Sequence, residues 1–200
     1  GNKDGCTPLH VAVSGVRPNL SVVGTLVREG PRAAKMRCKR GQMPMHKMAQ
    51  SHIPTDNTGD TMRVLELLSE AYPDAIRCQD LRGNLPLHMQ LLRPEPNMEF
   101  INALLFLLPE AAICPNAAGS TPQDIELNKG IRRNGEIVSA LLNYRNVSEM
   151  LAKLEGEGED SDDEEALLAL LESAGVDTHI HEEGSVGSIA EGDGRGEVKA

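Results

Sequence analysis

Three histidines, His10, His46 and His88, are the side chains in this 200-residue sequence that could most readily move protons or bind a metal. Each stands five residues after a glycine and two residues after a proline. Acid–base catalysis and metal binding require groups that converge on one atom, whereas these histidines are 36 and 42 residues apart in equivalent positions. Their spacing favours a structural role, and we predict no catalytic residue, metal ion or cofactor.

The histidines belong to a short pattern that occurs four times. Its glycines are Gly5, Gly41, Gly83 and Gly119, its prolines are Pro8, Pro44, Pro86 and Pro122, and Asp124 replaces the histidine in the last copy. The glycines are separated by 36, 42 and 36 residues. A unit of this length is too small to bury its own apolar face, so the recurrence predicts a solenoid in which neighbouring units complete one another's core.

A second set of prolines fixes the register of the units. Pro31, Pro73 and Pro109 each lie ten residues before the next glycine of the pattern. The second unit is six residues longer than its neighbours, and we assign the additional residues to a polar turn within residues 51–60.

The sequence between these landmarks predicts two helices per unit and very little strand. The first helix begins at the proline, and Thr7 and Thr121 precede it as N-cap residues. Met43 and Leu85 occupy that position in the other units, and we expect Thr at either site to raise stability by about 1 kcal/mol. The second helix carries an apolar stripe at helical spacing. Its residues are Leu20, Val22, Val23 and Leu26; Met62, Val64, Leu65 and Leu68; Met98, Phe100, Ile101 and Leu104; and Ile137, Val138, Leu141 and Leu142.

Gly-x-Thr-Pro-Leu-His followed by two helices resembles the ankyrin repeat over residues 1–147. The resemblance implies an all-α repeat solenoid whose units each contain a short β-hairpin finger and an antiparallel helix pair. The units are residues 1–36, 37–78, 79–114 and 115–147. It also implies that the histidines support the backbone of neighbouring fingers. Ala12 matches the small residue that the family places two residues after the histidine, whereas Met48 and Gln90 do not and should splay the inner helices.

The two ends of the chain differ from the units between them. An uncovered apolar face on the first unit leads us to expect a further repeat or cap before Gly1. A short apolar stripe predicts a capping helix at residues 148–155. Residues 155–200 hold 15 acidic and 2 basic side chains, a charge of −13, whereas residues 1–154 hold 15 and 18, a charge of +3. The acidic composition predicts a disordered tail at residues 156–200, with a short helix at 164–173 and a phosphorylation site at Ser161.

Cysteine usage and hydropathy bear on the compartment. Cys6, Cys38, Cys78 and Cys114 lack the dense clustering of a secreted disulfide scaffold, which favours reduced intracellular thiols. No apolar run approaches the roughly 20 residues that cross a bilayer. We therefore expect a cytoplasmic protein without a membrane segment, and the nucleus remains an alternative.

These patterns predict a non-catalytic scaffold that binds other proteins through fingers and inner helices. The expected contact residues are Lys39, Arg40, Lys47, Arg82, Met89 and Arg93. Nucleic acid is disfavoured, because no aromatic side chains stand beside the basic run at residues 35–40. The acidic tail could contact that run weakly within the same chain. The alternative function is a targeting arm of a larger enzyme whose catalytic domain lies outside this sequence.

Overall fold

The computed structural model describes residues 2–15, 18–52 and 58–154, which form helices and turns without any strand. Four short α-helices are α1 (Pro8–Val13), α3 (Pro44–Gln50), α5 (Pro86–Leu91) and α7 (Pro122–Leu127). Four longer ones are α2 (Leu20–Glu29), α4 (Thr58–Ala71), α6 (Met98–Leu107) and α8 (Gly135–Leu154). Short 3₁₀ segments lie at Pro31–Lys35, Pro73–Ile76, Pro109–Ala112 and Gly130–Arg132. The predicted all-α character is confirmed for this part of the chain.

The helices form two rows. The short helices α1, α3, α5 and α7 pack against one another in chain order, and the long helices α2, α4, α6 and α8 pack in the same order. Each short helix also contacts the long helix that follows it. The core lies between the rows, with Leu9, Met45 and Leu87 contributed by the short helices and Leu65 and Ile101 by the long ones.

Each short helix begins at a proline of the pattern, but its N-terminus is capped in two different ways. The Thr7 and Thr121 hydroxyl oxygens accept hydrogen bonds from the backbone N–H three residues ahead, at 3.4 and 3.3 Å. Met43 and Leu85 form no such side-chain bond and are buried in the core instead. Replacement of either by Thr would therefore remove apolar burial as well as add a cap.

Most of the predicted apolar stripe is buried or partly buried, with two exceptions. Val22 in α2 and Leu142 in α8 are exposed, although we expected both to face the core. These two helices stand at the ends of the described long row, so each has a long-helix neighbour on one side only. Val22 and Leu142 are left uncovered because no further long helix packs on the other side of α2 or α8 within the described residues.

The fourth unit ends in one continuous helix instead of a second helix and a separate cap. Helix α8 has 20 residues, Gly135–Leu154, and thus runs through the expected boundary at residue 148. No Pro or Gly interrupts it after Gly135, so nothing in the sequence stops the helix. Val147 and Ser148 are both buried, and α8 packs against Pro109–Ala112.

The longer second unit is accommodated largely by its long helix. Helix α4 has 14 residues, whereas α2 and α6 have 10 each, so four of the six additional residues extend a helix and do not form a turn. Asp60 in the first turn of α4 favours this extension through the helix dipole.

Several predictions fall on residues that the structure does not describe. The rest of the expected insertion, the acidic tail, the short helix at residues 164–173 and Ser161 lie outside the described residues. Among the helices that are described, none has the length and hydrophobicity that a membrane crossing requires.

Candidate functional site: a basic groove between two turns

Each unit opens with a tight turn that ends at the glycine of the pattern. Gly5, Gly41, Gly83 and Gly119 all adopt a φ of 72 to 75°, the left-handed region that favours glycine. At Gly83 a Cβ would also collide with the backbone of Asn116 and Ala117 in the next turn. The close approach of successive turns therefore depends on glycine for space as well as for conformation.

Successive turns are joined by single backbone hydrogen bonds. Lys39 N–H donates to the Asp4 carbonyl at 2.9 Å, Leu81 N–H donates to the Arg40 carbonyl at 3.1 Å, and Ala117 N–H donates to the Arg82 carbonyl at 3.0 Å. The side chain of Arg37 adds a further link, since its Nη1 donates to the carbonyls of Gly41 and Gln79. These bonds hold the tips of the turns at fixed spacing.

The histidines bind backbone groups of their own turn and of the next one. The Nδ1 atoms of His10, His46 and His88 accept from the N-cap backbone N–H of their own helix at 3.1 to 3.2 Å. The Nε2 atom of His10 donates to the Gln42 carbonyl at 3.0 Å, and that of His46 donates to the Asn84 carbonyl at 3.1 Å. His88 Nε2 is buried and forms no hydrogen bond within the described residues; burial lowers the pKa of His88, and the nearby Ser120 carbonyl partly opposes that lowering.

Burial keeps these three imidazoles neutral. Desolvation lowers the pKa of His10 and His88, and it lowers the pKa of His46 to about 4 despite the bond to the Asn84 carbonyl. Because Nδ1 accepts a backbone N–H, the proton of the neutral ring is on Nε2. In His10 and His46 both ring nitrogens bond to backbone groups, so neither nitrogen is free to transfer protons or bind a metal.

A groove of about 620 Å³ lies where the second and third turns meet α5. It brings together five of the six residues predicted to contact a partner: Lys39, Arg40, Arg82, Met89 and Arg93. The sixth, Lys47, does not line it; this lysine lies on α3, where its charge acts on His10 in the first unit. We call this surface the basic groove.

The cations of the basic groove are largely free to meet a ligand. Lys39, Arg40 and Arg82 are exposed, and no ion pair within the described residues involves them. Arg93 is half-buried; its Nη1 donates to the Gln50 carbonyl at 2.7 Å, and its Nη2 lies 3.2 Å from His52 Nδ1. Burial lowers the pKa of Arg93 from its usual high value, but the guanidinium stays charged at neutral pH.

Met89 does not face solvent as we expected. It is 6% exposed, and its sulfur lies 3.9 Å from Gln42 Nε2. Helix α5 lies between α3 and α7, and every one of its residues is buried, so no position on it is left for a freely exposed side chain. Met89 forms part of the floor of the groove instead.

Asp80 is the acidic residue that lines the groove, and its carboxylate is occupied by the protein. Its Oδ1 accepts from the backbone N–H groups of Arg82 and Asn84 at 2.8 and 2.9 Å, and its Oδ2 accepts from Gln42 Nε2 at 3.3 Å. Burial alone would raise the pKa of Asp80, but these hydrogen bonds outweigh it and lower the pKa. Asp80 shapes the third turn and leaves the groove with an excess of positive charge.

Two exposed leucines complete the groove. Leu81 is 75% exposed and Leu92 is 55% exposed, and both line the groove beside the cations. We did not predict either residue as a contact, although the register of the pattern places Leu81 at the same turn position as Lys39. The groove therefore presents positive charge and apolar surface together.

Two buried polar side chains also escaped prediction. Gln90, with its amide oriented to satisfy both partners, donates to the Ala49 carbonyl at 2.5 Å and accepts from Asn97 N–H at 2.7 Å. At the equivalent position of the fourth unit, Glu126 accepts from Asn134 N–H at 2.7 Å and pairs with Lys129 at 2.6 Å. Gln90 thus joins neighbouring units through its amide, where we expected it to splay the inner helices.

Neither family models nor curated proteins identify a relative of this chain. No protein-family model matches the chain, and no curated protein matches it with significant similarity. Within the described residues, no three His, Cys, Asp or Glu side chains are grouped so that they could hold a metal ion.

Proposed function

We propose that this chain is a non-catalytic protein-interaction module of four ankyrin-like repeats, and that partner proteins bind its basic groove. The repeat assignment is supported by four turns with the same left-handed glycine, successive backbone bonds between turns, and two rows of helices in chain order. In this proposal the turns correspond to the fingers of the family.

The observation that carries the proposal is the convergence, on one concave surface, of cations that form no ion pair with any described residue. Lys39, Arg40 and Arg82 come from two different units, and the bond from Leu81 N–H to the Arg40 carbonyl holds those units together. Exposed charges arranged in a cleft attract ligands of opposite charge and accelerate association. A protein segment that carries carboxylates would find several cations within one groove.

The chemistry of the lining favours a protein over a nucleic acid. Leu81 and Leu92 offer apolar contacts that a phosphate backbone does not use, and none of the described residues that line the groove is aromatic and able to stack on bases. The histidines, which are the residues best suited to proton transfer, are buried and bonded to backbone groups. These features support binding rather than catalysis.

A pair of charge-reversal variants of the full chain tests this function. Arg40→Glu with Arg82→Glu changes the groove, whereas Arg28→Glu with Arg63→Glu makes the same change in charge on the exposed surface of α2 and α4. Proteins captured from a cell lysate by the wild-type chain should be lost with the groove variant and retained with the control. Equal capture by all three chains would exclude the groove as the binding site.

A further inference from the structure

The charge of the basic groove defines what an occupant must carry. Four cations line it, Lys39, Arg40, Arg82 and Arg93, while the carboxylate of Asp80 is held by three hydrogen bonds from the protein. An occupant therefore needs several carboxylates close together. It also needs apolar side chains next to them, because Leu81 and Leu92 are exposed on the same surface.

The sequence contains one segment of this chemistry. Seven of the nine residues at 157–165 are acidic, and residues 166–171 are four leucines and two alanines. No Lys or Arg occurs between Lys153 and Arg195, whereas no two acidic residues are adjacent anywhere in residues 1–154. The complement of the groove is thus concentrated in residues 157–171.

This segment begins three residues after the last residue of α8, Leu154. Each long helix leads towards the next turn, and α8 packs against Pro109–Ala112, the segment that connects α6 to the fourth turn. Helix α8 therefore lies beside the segment that leads into the fourth turn. Neighbouring layers of packed helices are about 8 to 10 Å apart, and ten extended residues span about 33 Å, so the segment is long enough to reach the third and second turns.

We propose that residues 157–171 occupy the basic groove of their own chain, so that an acidic partner must displace them to bind. The inference rests on the proposed function of the groove and adds its competitor. The carboxylates at 157–165 pair with Lys39, Arg40 and Arg82, and the leucines that follow contact Leu81 and Leu92. A tethered segment acts at an effective concentration of about 1 mM, so even a contact with a dissociation constant of about 100 μM reduces binding of an external competitor about tenfold.

The test measures how tightly a synthetic, fluorescently labelled peptide of residues 157–171 binds full-length chains in a fluorescence anisotropy titration. One chain is wild type; in the other, called the neutralised chain, Asp160→Asn, Asp162→Asn, Asp163→Asn, Glu164→Gln and Glu165→Gln remove five of the seven negative charges at residues 157–165. The neutralised chain should bind the peptide about tenfold more tightly than wild type. The difference should shrink in about 1 M salt, where the screening length falls to about 3 Å.

Variants of the groove locate the site and separate this inference from the proposed function. In the neutralised chain, Arg40→Glu with Arg82→Glu should abolish peptide binding, and Arg28→Glu with Arg63→Glu should preserve it, with circular dichroism confirming that each chain is folded. Equal peptide affinities for wild type and the neutralised chain would overturn the internal competitor while the groove remains a site for acidic segments. Absence of binding to both chains would overturn the inference, and the lysate capture would then decide the proposed function separately.

Discussion

The third and fourth turns share one backbone arrangement but present different surfaces. Both end in a glycine with φ above 70°, and each donates one backbone hydrogen bond to the preceding turn, from Leu81 and from Ala117. The third turn exposes Leu81 and Arg82 at its tip, whereas the fourth exposes Ala117 and Ala118. The comparison separates the residues that build a turn from the two tip positions that give it chemistry.

The largest effect should come from replacing Gly83, which adopts the left-handed conformation of its turn and also leaves space for the next turn. In Gly83→Ala the alanine must adopt the left-handed backbone conformation, which costs about 1–2 kcal/mol. Its Cβ also collides with the backbone of Asn116 and Ala117. We expect a loss of about 3 kcal/mol or more in the free energy of unfolding, measured by urea denaturation.

Gly119→Ala is the matched control, because among the described residues no atom beyond Gly119 and its two chain neighbours lies within 4 Å of the Cβ it would add. It should cost only the left-handed conformation, about 1–2 kcal/mol. Equal losses for the two variants would mean that the close contact between the third and fourth turns does not contribute to stability.

The histidines should make the stability of the units depend on pH. A histidine in the unfolded chain titrates near pH 6.5, whereas burial lowers the pKa of His46 to about 4. Between these values the unfolded state binds more protons, so stability falls as pH decreases through this window. His46 alone should account for a loss of about 3 kcal/mol, to which His10 and His88 add in the same direction.

Urea denaturation at about pH 7 and about pH 4.5 checks this expectation. His46→Gln, which cannot titrate, should be less stable than wild type near pH 7 but should lose less stability on acidification. A wild-type denaturation midpoint that is the same at both pH values would contradict the buried, neutral state of the histidines.

The N-cap position of the third unit should respond in the opposite direction from the one that the sequence alone suggests. Leu85→Thr adds a cap of about 1 kcal/mol, but it removes a buried leucine whose apolar contribution is larger, about 2–3 kcal/mol. We expect a net loss of about 1–2 kcal/mol in thermal or urea unfolding. A more stable variant would show that capping outweighs core packing at this site.

The smallest effect should come from copying one turn tip onto the other. Ala117 and Ala118 are exposed, so Ala117→Leu with Ala118→Arg should change stability by no more than about 0.5 kcal/mol. The reverse exchange, Leu81→Ala with Arg82→Ala, should be equally mild in unfolding experiments. A large loss of stability in either variant would contradict the separation of turn-building residues from tip residues.

Local signals predicted the start of the short helices well, because proline restricts the backbone wherever it occurs. All four begin at the expected proline, and both Thr caps form. Burial was harder to predict, because it depends on neighbours that are distant in sequence. Met89 is covered because α5 lies between two other helices, while Val22 and Leu142 are exposed because their helices end a row.

The basic groove could be predicted only in part, because the sequence shows which turn residues are charged but does not show the contacts between units. The charges of Lys39, Arg40 and Arg82 were visible at the turn positions, whereas the exposure of Leu81 and Leu92 and the occupied carboxylate of Asp80 follow from contacts between units. Gln90 and Glu126 illustrate the limit most clearly. Gln90 accepts a hydrogen bond from the backbone N–H of Asn97, and Glu126 accepts one from that of Asn134. These two asparagines stand directly before α6 and α8.

The most direct test of the central claim maps where an acidic segment binds. The full-length chain with a neutralised internal segment is titrated with the unlabelled peptide of residues 157–171, and backbone amide shifts are followed by NMR. The account predicts that the largest shifts lie at residues 38–42, 80–84 and 89–94, with little change at Ala117 and Ala118. Shifts confined to the surface of α2 and α4, or a spectrum unchanged at saturating peptide, would contradict the basic groove as a binding site.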